Sequence, residues 1–84
     1  QRTREFTEAT VPDGLRRRHT TKPGVWGRIS VLEGSLRYRI LEPVPEEHTL
    51  TAERPGMVGP EVPHEVEPPG RVRFFVEVLR AHGP

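Results

Sequence analysis

The chain has 84 residues, with 13 basic and 12 acidic side chains, a formal net charge of +1 and no cysteine. A chain this short makes one domain with one core, burying roughly 60–65% of its unfolded surface. Balanced charge supplies no large single-sign field to gather nucleic acid or an anionic membrane, so neither is expected as a partner. Without cysteine there are no disulfides, thiolate metal sites or thiol nucleophile, and a cytoplasmic setting is the natural expectation. The longest purely apolar run, Phe74-Phe75-Val76, is far short of the ~18 residues a membrane span requires. The chain begins at Gln1 rather than at a methionine, which leaves an upstream or removed targeting segment open. Every basic residue but Lys22 is arginine, Gln1 is the only glutamine, asparagine is absent and there are ten prolines. That bias is expected of a heat-adapted or high-GC source.

In chain order, residues 1–14 form a polar segment ending in the turn Val11-Pro12-Asp13-Gly14, where proline presets one φ and glycine accepts a positive one. A strand is expected from Leu15 to about Thr20, then a turn at Lys22-Pro23-Gly24. The next strand, Val25 to Leu32, places Val25, Gly27, Ile29 and Val31 on one side and Trp26, Arg28, Ser30 and Leu32 on the other. Glu33-Gly34 separates it from Ser35 to Leu41, where Leu36, Tyr38 and Ile40 alternate with arginines, and the two runs read as a β-hairpin. Residues 42–47 carry two prolines and read as an exposed loop. A short strand over His48 to Ala52, a turn at Arg54-Pro55-Gly56 and the fragment Met57-Val58 follow. The strand His64 to Glu67 puts His64 and Val66 on one face and Glu65 and Glu67 on the other. The last strand, Arg71 to Arg80, has an apolar face of Val72, Phe74, Val76 and Val78, and 81–84 is a tail. No segment carries apolar residues at helical spacing. The expectation is one all-β domain over 1–84, a sandwich or barrel of about seven to nine short antiparallel strands.

The residue types limit the chemistry further. His64 points toward the core by its parity, and an inward imidazole is either a core residue with both nitrogens satisfied or part of a site. Neither serine lies in a nucleophile elbow, and the glycines punctuate turns rather than cradle a phosphate.

Two segments resemble known motifs. Trp26 to Tyr38, with Val31-Leu32-Glu33-Gly34-Ser35-Leu36-Arg37-Tyr38 at its heart, is similar to the V-L-E-G-x-L-x-Y hairpin of cupins, and Pro60-Glu61-Val62-Pro63-His64 to the second cupin motif. More narrowly, Arg18-His19, Thr21 to Gly27, Val31 to Gly34, Pro60-Glu61 with His64, and Arg73 to Glu77 resemble the tellurite-resistance-associated, YeaR/TehB-like domain family over roughly residues 2–80. The resemblance implies a small cupin-like jelly roll, a histidine-based metal site and a link to oxyanion or nitrogen-oxide stress, with no settled reaction. It also implies His19 as the partner of His64. Counting back from Gly34, however, Lys22 lies near the second cupin histidine and Gly27 where the glutamate would be, so the usual three-histidine, one-glutamate site is ruled out.

The expected ligands of a divalent metal (Zn, Fe, Mn or Ni) are thus His19, His64 and Glu61, the last joining only if Pro63 bends the strand. Trp26, Tyr38 and Glu77 are candidates to line the pocket, with Glu77 as a catalytic acid or base if there is a reaction, or else an ion-pair partner of Arg71 or Arg73. One arginine of Arg16-Arg17-Arg18 could clamp an anion, while His48 and His82 read as bystanders. The expected ligand is a small molecule or oxyanion. The alternative is a metal-free homodimer associating through Phe75 and Leu79 on the second face of the last strand.

Overall fold

The alternating runs of the sequence become seven strands in two antiparallel sheets, in a computed structural model that describes residues 1–80. The tail 81–84, with His82, lies outside the described residues. The elements are β1 (Phe6–Thr7), α1 (Asp13–Arg16), β2 (Val25–Gly34), β3 (Leu36–Ile40), β4 (Glu46–Leu50), β5 (Gly56–Val58), β6 (His64–Glu67) and β7 (Val72–Arg80). One sheet has the order β1-β7-β2-β5 and the other β4-β3-β6. Between them lies a core of Ile29, Val31, Val58, Val72 and Phe74 from the first and Leu36, Tyr38, Leu50 and Val66 from the second. The all-β fold is as the alternation required.

The connectivity differs in one important respect. β2 and β3 do not form a hairpin: β2 pairs with β5 and β7, while β3 pairs with β4 and β6. Gly34 is the corner at which the chain leaves one sheet for the other. Its φ is 76°, and a β-carbon there would lie 2.0 Å from the carbonyl oxygen of Arg71. Just before it the register shifts between Val31 and Glu33, so Leu32 is an extra residue that bends the strand toward the corner.

The amino-terminal half also departs from expectation. Pro12-Asp13-Gly14 opens the four-residue α1 rather than a turn into a strand, and no strand forms over 15–20. The run Arg16-Arg17-Arg18 offers no apolar alternation to bury. Of residues 15–20 only His19 pairs, in an isolated antiparallel bridge with His64. The polar first segment is also less detached than its composition implied. The Thr3 amide donates to Val76 O at 2.8 Å, the Val78 amide to Gln1 O at 2.7 Å, and Phe6 is buried against Phe74. Glu46 and Glu47, expected in the loop, extend β4, and Glu47 meets Arg39 at 2.9 Å. Among the described residues no helix is long and apolar enough to cross a membrane.

Candidate functional site

His19 and His64 are held together by their own backbones. The His19 amide donates to His64 O at 2.7 Å and the His64 amide to His19 O at 2.9 Å, so the two side chains stand directly opposite each other across the bridge. The His19 Nδ1 lies 3.3 Å from the His64 Nε2, with the rings edge to face. The approaches to the bridge are strained: Arg18 and Glu61, neither a glycine, adopt φ of 32° and 61°. Such conformations cost on the order of 1 kcal/mol each and persist where the surroundings impose them.

The chemistry of His64 is set from the other side of its ring. Its Nδ1 lies 2.8 Å from Val62 O, and since a carbonyl can only accept, Nδ1 carries the proton. The lone pair of the neutral ring is therefore on Nε2, facing His19. Burial pulls the pKa of His64 below the usual imidazole value; the bond to Val62 opposes this, and the neighbouring His19 adds to it. At neutral pH His64 is an uncharged donor with a fixed tautomer.

The pair opens on a cavity of about 80 Å³. Its walls are chiefly apolar, from Leu15 of α1, Ile29 of β2, Val58 of β5 and Phe74 and Val76 of β7. Thr21 also borders it, but its hydroxyl is already engaged, donating to Gly59 O at 3.2 Å and accepting from the Glu61 amide at 3.1 Å. Trp26 contributes to the lining and is 42% exposed, which places it at the mouth.

The other expected site residues lie elsewhere. Glu61 is exposed and does not line the cavity. The ladder continues through the expected bend, with the Leu41 amide donating to Pro63 O at 2.8 Å, and the chain turns outward at Glu61 itself. Glu77 is on the outer face of β7, gripped by Arg28 through Nε at 2.9 Å and Nη2 at 2.6 Å, a partner other than Arg71 or Arg73. Tyr38 is buried, its ring edge-on to His64 and its hydroxyl donating to Met57 O at 3.0 Å; burial pushes its pKa up to about 12. It lines a separate groove with His48 and Leu50. Arg16 and Arg17 border a larger, polar groove that also holds Arg39, Asp13, Glu65 and Glu67, and such mixed charge does not select an anion. Trp26 apart, the cavity walls were not singled out in the sequence. The one available signal was Gly27, a glycine at an inward position of a strand.

Two nitrogens at about 2.05 Å from one tetrahedral metal lie ~3.3 Å apart, which the imidazole pair matches. The same separation suits a hydrogen bond from His19 Nδ1 to His64 Nε2. Among the described residues no group of three His, Cys, Asp or Glu side chains could hold a metal, so a bound ion would keep at least two positions for other ligands.

The model of the TehB-like domain matches residues 1–76. TehB from Haemophilus influenzae is structurally similar, with a TM-score of 0.86 and 28% identity over 93% of this chain, which spans 29% of the length of that protein. A protein from Escherichia coli K12 shares the fold, with a TM-score of 0.80 and 24% identity, the match covering 98% of this chain and 89% of that one. No curated protein sequence matches the chain. With the family model covering most of its length, the chain belongs to the TehB-like domain family.

Proposed function

We propose that this domain binds a divalent transition metal through His19 and His64 and presents the open coordination positions to a small ligand in the adjoining cavity. The observation that carries the reading is the convergence of His19 Nδ1 and His64 Nε2 at 3.3 Å, with the His64 tautomer fixed by Val62 O. Two imidazoles without a carboxylate suit Zn, Fe or Ni better than Mn. The metal would polarise or anchor a ligand as a Lewis acid. The protein's part is to orient the two rings and to surround the ligand with apolar side chains.

Binding is favoured over catalysis. Glu77 is tied to Arg28 outside the cavity, and Tyr38 spends its proton on Met57 O, which among the described residues leaves the two imidazoles to move a proton there. The cupin-like architecture and the link to tellurite, oxyanion or nitrogen-oxide stress belong to this proposal, and membership of the TehB-like family supports them.

Elemental analysis of protein purified without added metal tests the reading. Near-stoichiometric metal is expected, lost in His64→Ala and in His19→Ala and retained in Glu61→Ala. Sub-stoichiometric metal in the unaltered protein and in the variants alike would leave the two histidines as a hydrogen-bonded core pair.

A further inference from the structure

Gly27 sits on the inward face of β2, between Val25 and Ile29, where every neighbour of like parity buries a branched side chain. Glycine at such a position weakens a strand, so it calls for a reason. Crowding is not that reason. A β-carbon at Gly27 would stand 3.6 Å from Val58 Cβ and 3.9 Å from Val58 Cγ2 and Val76 Cγ1, all ordinary contact distances. Nor is conformation, since Gly27 is not among the positive-φ residues. The missing side chain instead leaves space in the wall of the cavity that ends at His19 and His64.

We propose that Gly27 maintains a binding chamber for a small, uncharged, largely apolar molecule carrying one donor atom, and that a free oxyanion is not its occupant. The inference rests on reading the histidine pair as ligand-facing. Size sets the first limit: about 80 Å³ is roughly half the ~150 Å³ apolar cavity that admits benzene, so the occupant has about three or four heavy atoms. Polarity sets the second. An oxyanion needs several hydrogen bonds, yet among the described residues no arginine or lysine lines the chamber and the Thr21 hydroxyl is committed at both ends. Among the described residues the imidazole pair stands at one end of the chamber, where a metal held by it would meet a donor atom. The apolar remainder of the molecule would lie against Val58, Val76 and Ile29. Three heavy atoms limit the affinity to about the millimolar range.

The test follows the methyl resonances of Val58 and Val76 in the whole chain, with chelator and again with added zinc. Xenon probes apolar space, acetonitrile is a three-atom neutral donor and inorganic phosphate is the oxyanion. Saturable shifts with xenon and acetonitrile, and none with phosphate, are expected. Gly27→Ala should weaken both responses at least tenfold while raising Tm by about 2–6 °C, because alanine fills the space without strain and stiffens the unfolded chain. Val76→Ile, filling from the opposite strand, should weaken them likewise. Three results would overturn the proposal: phosphate shifting the same methyls as strongly, acetonitrile binding Gly27→Ala as it binds the parent, or a Tm that falls by several degrees in Gly27→Ala. Xenon requires no metal, so the chamber and the metal site fail separately.

Discussion

At the scale of single residues, His64 combines three properties that rarely coincide: 4% exposure, a proton fixed on Nδ1 by Val62 O, and a lone pair turned to a second imidazole. Its parity in the sequence showed that it points inward. What the parity could not show is that the outer ring nitrogen meets His19, because His19 belongs to no strand and arrives through an isolated bridge. Glu61 illustrates the opposite limit. The sequence made its position depend on a bend at Pro63, whereas the left-handed backbone of Glu61 sends it to solvent. The burial of His64 has a thermodynamic consequence. With its folded pKa below the usual 6.5, the unfolded chain takes up the proton first, so stability is full above about pH 6.5 and falls as the pH drops toward the folded value. For one proton the slope approaches about 1.4 kcal/mol per pH unit. Denaturant titrations in chelator at pH 7.5, 6.5 and 5.5 should show this decline, and His64→Gln should flatten it. An equal slope in the variant would mean that another group carries the effect.

At the scale of elements, alternation located β2, β3, β6 and β7 to within a residue or two, because a half-buried strand writes its period directly into the sequence. Partner choice was not legible. Two alternating runs around a glycine satisfy a hairpin and a sheet-to-sheet corner equally well, and what decides between them is the approach of Arg71 O to Gly34, a contact 37 residues away. The outer face of the second sheet shows pairing that the sequence did contain in part. Arg39 on β3 reaches Glu47 at 2.9 Å, Glu65 at 3.2 Å and Glu67 at 2.7 Å, joining β4, β3 and β6 across their solvent side. The hydrogen bond from Arg39 holds the Glu67 carboxyl below its ordinary pKa. Lying on the solvent side and only partly buried, this network is open to screening by salt. Arg39→Ala should lower the melting temperature slightly at low ionic strength, with the difference closing in 1 M salt. The contribution from Glu67 is full above the ordinary carboxylate pKa near 4.5 and is lost as the pH falls through its lower folded value. A variant difference that persists in high salt would assign Arg39 a packing role instead.

At the scale of the molecule, the two sheets close around a core that reaches from Phe6 to the histidine pair, and the cavity opens where that core ends at His19 and His64. Sheet edges are the remaining hazard of such a sandwich, since their unpaired backbone groups can recruit a second chain. The amino-terminal segment answers this on one side by pairing along β7, with Arg2 bridged to Glu77 and its guanidinium 3.8 Å from the centre of the Phe75 ring. The composition of residues 1–14 gave no sign of this, because a polar strand that covers an edge carries little of the apolar alternation that marks a buried one. The arrangement bears on the alternative reading as a homodimer through Phe75 and Leu79. Both residues are half-buried, and the ring of Phe75 is already stacked under a cation of its own chain. Phe75→Glu would exchange that stacking for an ion pair with Arg2. The mass measured by light scattering should therefore be the same for Phe75→Glu and the parent chain. A parent dimer that dissolves in the variant would return the outer face of β7 to the role of an interface, with Arg2 displaced from the ring on association.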